Sequence, residues 1–178
     1  MKIIGIITAM EEEFEEIVNI MSEVKEKEIS KLTFITGKIN TKSVVLVKSG
    51  IGKVNAARVA QIMIDNFHIE TIINVGSAGA LNPLLNIGDI VIGEKLIQHD
   101  FDITAFGHDK GYITGVGDYI YSDTKLIEKI KNSINNISNE EFKIKVGIIA
   151  SGDIFCHQKR WRRLIFQVLP LRMKRSVT

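Results

Sequence analysis

Short apolar runs alternate along the chain with stretches in which apolar residues recur every three or four positions. Six apolar or alternating runs predict strands, at 2–7, 32–39, 43–48, 70–81 (where the strand passes into a turn), 89–97 and 143–150. Helical spacing predicts three helices, at 11–22, 53–66 and 123–135. Repeated strand-then-helix units favour an α/β fold in three layers, with helices on both faces of a central mixed sheet.

The segments between these elements have residues that are typical of loops and helix caps. Residues 23–30 are mostly charged and predict a connection between the first helix and the next strand. Residues 99–107 predict an irregular loop with exposed aromatic side chains. Ser122 is a candidate N-cap for the helix that follows it.

Three predicted strands end in small residues, namely Ser49-Gly50, Gly76-Ser77 and Ser151-Gly152. Small residues at the carboxyl end of a strand let a ligand approach the backbone closely. In open α/β sheets, ligands bind at that edge. The pattern therefore predicts one crevice for a small molecule, with Ser77 contributing a hydroxyl.

Composition places the chain among ordinary soluble domains. It has 178 residues, of which 45% are hydrophobic and 25% charged. Cys156 is its only cysteine, so no intrachain disulfide forms and a reducing, cytoplasmic compartment is expected. The apolar start meets three glutamates after Met10, which favours a first strand over a signal peptide. No apolar run is long enough to span a membrane.

Charge divides the chain at about residue 156. Residues 157–178 contain seven Lys and Arg and no acidic residue, whereas residues 1–156 contain 16 basic and 21 acidic residues. Arg58 is the only arginine before this basic tail. We therefore expect a domain at 1–156 and a tail of different origin at 157–178.

Five motifs in order resemble one enzyme family. They lie at 6–13 (IITAMEEE), 49–57 (SGIGKVNAA), 74–79 (NVGSAG), 99–107 (HDFDITAFG) and 151–153 (SGD). Together they are similar to 5′-methylthioadenosine/S-adenosylhomocysteine nucleosidases, of the nucleoside phosphorylase superfamily. The resemblance covers residues 1 to about 158. It implies hydrolysis of the bond between adenine and a 5′-thio-substituted ribose, with no cofactor and no metal.

The resemblance also implies roles for individual residues. Glu13 matches the catalytic carboxylate that activates water, and Ser77 matches a hydroxyl near that water and the ribose. Residues of the pocket wall are matched by Ala9, Met10, Ile51, Ala78 and Gly79. Phe155 matches the aromatic residue beside adenine, and Cys156 the residue whose backbone reads the base edge. Ile103 and Phe106 match residues that cap the pocket of a neighbouring subunit, which implies a homodimer.

A carboxylate at position 13 suits this chemistry. Cleavage of an N-glycosidic bond builds positive charge on the ribose. A carboxylate can position and deprotonate water against that charge. The first turn of a helix favours negatively charged side chains, and Glu13 lies in the first turn of the first predicted helix. His99 and Asp102 belong to a matching motif, but we interpret both as structural.

The resemblance stops after residue 158. Members of the family continue with a strand leading into Met-Glu, whose Glu binds the ribose hydroxyls, and later with Ser-Asp, whose Asp protonates adenine. Met173 is followed here by Lys174, and Ser-Asp is absent from this region. We therefore expect a sheet that lacks its last strand or strands and the final helix, and an impaired enzyme.

Other functional classes remain open. A purine nucleoside phosphorylase or another nucleosidase of the superfamily is one alternative, although Arg58 is the only arginine of the body and phosphorylases need a basic phosphate site. A non-catalytic remnant is the second alternative. Seven scattered charges in the tail are weak evidence for nucleic acid, so the expected partner is a thio-nucleoside.

We expect residues from about 157 onward to be translated out of the ancestral reading frame. Arginine use rises from one residue in 1–156 to five in 157–178, and acidic residues vanish. Shifting the frame of the coding DNA by one base near codon 157 should restore an acidic helix, then Met-Glu, then Ser-Asp. Sequencing the gene checks this, and two alternative frames without those motifs would rule the shift out.

Overall fold

The computed structural model describes residues 3–135 and 142–154 and the backbone of residues 164–172. Its contacts define two compact units. The first comprises the chain up to Gly76 together with Leu171 and Arg172, and the second is Ser77–Pro170. In the described part of the chain, no helix combines the length and the apolar character that crossing a membrane requires.

The first unit is built on a mixed sheet. Its elements in chain order are β1 (Ile4–Thr8), α1 (Glu11–Asn19), β2 (Ser22–Ile29), β3 (Leu32–Ile39), β4 (Lys42–Lys48), α2 (Lys53–Phe67) and β5 (Thr71–Gly79). The strand order is β2-β3-β4-β1-β5. β1 runs parallel to both β4 and β5, whereas β2, β3 and β4 pair antiparallel. The predicted α/β fold with a mixed sheet is confirmed.

Apolar side chains cover both faces of this sheet, because successive residues of a strand point to opposite sides. On one face Ile7, Val45 and Val47 pack with Val59 and Met63 of α2. The other face carries a second cluster, made of Ile6, Ile35, Val44 and Leu46 with Phe14 and Ile17 of α1 packed against it. Two helices on opposite faces give this unit its three layers.

The charged segment after α1 forms a strand, so the prediction of a loop at 23–30 was wrong. α1 ends at Asn19, and β2 begins at Ser22. Seven of the eight residues of β2 are exposed, so the strand shows no apolar alternation. β2 lies at the edge of the sheet, where charged side chains discourage pairing with another chain. Lys38 of β3 forms an ion pair with Glu23 at 2.7 Å.

The second unit is built around β6. Its elements are β6 (Ile90–Gln98), a 3₁₀ turn (Thr104–Phe106), β7 (Ile120–Tyr121), α3 (Thr124–Asn135), β8 (Ile144–Ser151) and β9 (Leu164–Arg172). β8 and β9 pair parallel with β6, and β7 pairs antiparallel. The N-cap of α3 is Asp123 rather than Ser122, because Asp123 Oδ1 accepts the Leu126 N–H at 2.9 Å.

The strand β9 was not predicted from the sequence. It pairs with β6 from Ile90↔Phe166 to Ile92↔Val168. The run that forms it, LIFQVLPLR, is apolar and compatible with a strand, but it lies in the basic segment 157–178, which the charge pattern assigned to a tail instead of the domain. Pro170 lies beyond the residues paired with β6, where the lack of an N–H costs no bond to that strand.

Asp89 joins two distant segments of the second unit. Its side chain is 2% exposed; Oδ2 accepts the Asn86 N–H at 2.8 Å and Oδ1 accepts the Lys143 N–H at 2.9 Å. Burial raises the pKa of Asp89, but the two backbone hydrogen bonds and the charges of Lys143 and Lys145 together hold this pKa below its ordinary value. The ionised carboxylate therefore fastens the start of β6 to the start of β8.

The substitution Asp89→Asn should lower the free energy of unfolding at pH 7 by about 1–3 kcal/mol, because one backbone N–H loses a charged acceptor. A lowered folded-state pKa stabilises the fold above the unfolded pKa of about 4, and this contribution disappears as pH falls through the folded pKa. The difference between wild type and variant in the free energy of unfolding, measured with urea, should therefore shrink below about pH 4.

The exposed Asp118 provides the control. The substitution Asp118→Asn should leave the urea midpoint unchanged both at pH 7 and at pH 3. A constant difference between Asp89→Asn and wild type from pH 7 to pH 3 would contradict this role of Asp89.

Candidate functional site

The short connection between β1 and α1 holds the carboxylate of Glu13. Glu13 lies in the first turn of α1, and its Oε2 accepts the backbone N–H groups of Ala9 and Met10, both at 3.1 Å. A glutamate that reaches back to the N-cap amide is one half of a capping box. Ala9, Met10 and Glu13, which the sequence predicted for one site, are therefore brought together.

Gly76 of β5 leaves room for this carboxylate. A Cβ atom added at Gly76 would lie 3.0 Å from Glu13 Oε1 and 3.3 Å from Oε2. These distances are shorter than ordinary van der Waals contact, so the backbone of β5 passes directly against the Glu13 carboxylate. Gly76 is not among the residues that the sequence predicted for the site, although it lies within the motif at 74–79.

The ends of β1 and β4 are fastened beside this connection. The Ser49 N–H donates to the carbonyl oxygen of Thr8 at 2.8 Å, and Ser49 Oγ lies 3.1 Å from the same oxygen. Lys48 forms an ion pair with Glu11 of α1. The side chain of Ile51 is 79% exposed, and its carbonyl accepts Asn55 Nδ2 at 2.7 Å. Its predicted place in a pocket wall stays a prediction.

A cavity of about 320 Å³ in the first unit lies away from Glu13. It is lined by Ile4, Ile6, Ile39, Asn40, Thr41, Lys42, Val44 and Ile73. Ile4 and Lys42 are the first residues of β1 and β4, so the cavity opens near the amino ends of these strands. Glu13 follows the carboxyl end of β1, which is the end that the sequence predicted for ligand binding.

The remaining small residues of the 74–79 motif belong to the second unit. Ser77, Ala78 and Gly79 are the last three residues of β5 and are half-buried, so the strand includes the small residues. Ala78 packs against a cluster that contains Ala80, Leu85, Val91 and Ile149.

The predicted strand end at 151–153 meets the loop that begins at His99. The His99 N–H donates to the Ser151 carbonyl at 3.0 Å, and Asp100 Oδ2 accepts the Asp153 N–H at 2.6 Å. A Cβ at Gly152 would lie only 2.4 Å from His99 Nε2. Two motifs that are far apart in the chain therefore lie together, and the interpretation of His99 as structural stays a prediction.

The loop continues into the 3₁₀ turn. Asp102 Oδ1 accepts the backbone N–H of Thr104 at 3.0 Å and its hydroxyl at 2.8 Å. The backbone hydrogen bond and then the hydroxyl hold the pKa of Asp102 below its ordinary value. Phe106 ends the turn with 81% of its surface exposed, and Ile103 before the turn is half-buried. Their predicted contact with a neighbouring subunit stays a prediction.

Phe155 and Cys156 lie outside the described residues. Among the residues that the structure describes, no group of three or more His, Cys, Asp or Glu is placed to hold a metal ion. Two backbone amides hold the Glu13 carboxylate at the carboxyl end of β1, the edge at which the sequence predicted ligand binding.

Known proteins that are similar to this chain identify the class of protein to which it belongs. The model of the phosphorylase superfamily matches residues 3–172, so the chain belongs to that superfamily. The 5′-methylthioadenosine/S-adenosylhomocysteine nucleosidase of Staphylococcus epidermidis is 40% identical over 167 residues, which is 94% of this chain and 72% of the relative. The nucleosidase of the same name from a Marinomonas species is 39% identical over 155 residues, 87% of this chain and 66% of its own length.

A solved structure agrees with these relatives. The nucleosidase of Neisseria meningitidis in complex with methylthio-immucillin-A aligns with a TM-score of 0.84 at 32% identity, covering 93% of this chain and 84% of that one. The chain is thus a member of the 5′-methylthioadenosine/S-adenosylhomocysteine nucleosidase family, a family of N-glycosyl hydrolases. It spans about two thirds to three quarters of the length of the curated relatives named above.

The substitution Gly76→Ala should displace the Glu13 carboxylate from the amides of Ala9 and Met10, because the new Cβ would crowd Oε1 at 3.0 Å. Overpacking of this kind costs about 1–3 kcal/mol, which chemical unfolding measures. Gly147→Ala is the matched control, since the nearest atom to a Cβ there lies 3.9 Å away. Equal stability of Gly76→Ala and wild type would contradict the close approach.

Proposed function

We propose that this chain hydrolyses the N-glycosidic bond of 5′-methylthioadenosine and S-adenosylhomocysteine and releases adenine. The observation that carries the proposal is the Glu13 carboxylate, held by two backbone amides against Gly76. Two relatives of the chain, 39% and 40% identical to it, are named as nucleosidases for these two compounds. A carboxylate in a fixed orientation is the group that activation of water requires.

Glu13 acts as the general base in this proposal. As the bond to adenine breaks, adenine leaves with the bonding electron pair and takes up a proton from solvent, and positive charge develops on the ribose. A water molecule attacks the ribose carbon, and Glu13 takes the proton that this water loses. A positioned base typically contributes about 10²–10⁴-fold to such a step. The two amide hydrogen bonds to Oε2 restrict rotation of the carboxylate, and the other oxygen lies nearer to Gly76. The orientation of the base is thereby set before substrate arrives.

The other predicted residues bind the substrate in this proposal. Ser77 contacts the water and the ribose, and the pocket wall consists of Ala9, Met10, Ile51, Ala78 and Gly79. Phe155 stacks beside adenine, and the backbone of Cys156 reads the base edge. Ile103 and Phe106 reach the pocket of the second subunit of a homodimer. The exposure of Phe106, at 81%, supports a role on an interface. A cytoplasmic location suits a chain whose one cysteine has no partner.

The substitution Glu13→Gln should lower adenine release from 5′-methylthioadenosine by about 10²–10⁴-fold, because the amide cannot take a proton from water. The glutamine carbonyl can still accept the amides of Ala9 and Met10, so the fold should be retained. Liquid chromatography of adenine measures the rate, with micromolar protein and long incubation so that slow turnover is detected.

Glu12→Gln is the matched control, because Glu12 occupies the same helical turn and is exposed. It should retain the wild-type rate. Equal rates for Glu13→Gln and wild type would contradict the role of Glu13. Phosphate-dependent formation of ribose 1-phosphate derivatives would instead identify a phosphorylase.

A further inference from the structure

Thr8, the last residue of β1, carries a buried hydroxyl that the proposed mechanism does not use. Its side chain is fully buried, and within the described residues Oγ1 has no hydrogen-bond partner. The carbonyl of Thr8 already accepts the Ser49 N–H at 2.8 Å, whereas no partner for the hydroxyl is found among the described residues. Buried polar groups are nearly always paired with protein or with ordered water, so this hydroxyl indicates a bound partner.

The direction of the Thr8 side chain follows from its neighbours. Side chains alternate along β1, and Ile6 packs against Phe14 and Ile17 of α1 whereas Ile7 packs with the cluster on α2. Thr8 therefore lies on the α1 face, like Ile6. α1 begins at Glu11, three residues after Thr8, so alternation along β1 is expected to turn the hydroxyl toward the first turn of this helix.

The first turn of α1 offers donors for such a partner. The N-cap residue is Met10, which makes no side-chain capping hydrogen bond. The N–H groups of Glu11 and Glu12, the first two residues of the helix, point out of it at this end and have no acceptor within the helix. Three glutamates in the same turn disfavour an anion, whereas a water molecule can accept from amides and donate to Thr8 Oγ1.

We propose that Thr8 Oγ1 and the first turn of α1 bind one internal water molecule, and that Thr8 is thereby a positioning residue for Glu13. The water holds the segment from Thr8 to Met10, whose Ala9 and Met10 amides orient the Glu13 carboxylate. Thr8 touches no reacting atom; it acts through these two amides. The inference about Glu13 in catalysis depends on the proposed function, but the water site does not.

Two variants of Thr8 test this inference. Thr8→Val keeps the shape and the β-branch but loses the hydroxyl, and Thr8→Ser keeps the hydroxyl. Thr8→Val should lower the urea midpoint, because the water loses one partner, and should lower kcat for adenine release about ten- to a hundredfold with KM unchanged. Thr8→Ser should restore both. A crystal structure should show a water molecule within hydrogen-bond distance of Thr8 Oγ1 that is absent from Thr8→Val.

The readouts separate this inference from the proposed function. If wild type releases no adenine, the midpoint and the crystallographic water still decide the water site. A raised urea midpoint in Thr8→Val would show that the hydroxyl is unpaired and would overturn the inference. If Thr8→Val lowers the urea midpoint but keeps the wild-type kcat, the water site is supported and the positioning role of Thr8 is overturned.

Discussion

The hydrogen bonds from Ala9 and Met10 to the Glu13 carboxylate are the interaction on which the site depends. They join the end of β1 to the first turn of α1, so the strand and the helix are locked together by one side chain. Gly76 completes the arrangement, because only a residue without a side chain leaves β5 close enough to the carboxylate. The catalytic candidate is thus also a structural part of the strand-to-helix connection.

This arrangement explains why the surrounding residues are small or polar. The Ser49 N–H donates to the carbonyl of Thr8 and fastens the end of β4 to the end of β1, where the connection to Glu13 begins. Lys48 pairs with Glu11, so one of the three carboxylates in the first turn is neutralised. The Glu13 carboxylate accepts two backbone N–H groups, those of Ala9 and Met10.

In the second unit, too, carboxylate side chains join distant segments by accepting backbone N–H groups. Asp89 accepts two backbone N–H groups and connects the start of β6 to the start of β8. At the other end of these strands, His99 and Asp100 bind the backbone of Ser151 and Asp153. β6 and β8 are therefore fastened at both ends by polar groups, between which apolar residues such as Val91 and Ile149 pack.

The sequence by itself determined the α/β class, most element boundaries and the family, because periodicity reports which face of an element is buried and motifs report local chemistry. It placed Glu13 in the first turn of a helix and the small residues of the 74–79 motif at the end of a strand, as the structure has them. Tertiary structure alone decided that β2 is a strand, since an exposed edge leaves no apolar alternation. It also decided that Gly76 meets Glu13, and that Asp89 meets Lys143, 54 residues away. These contacts depend on strand order and register, which local patterns of hydrophobic and polar residues do not encode.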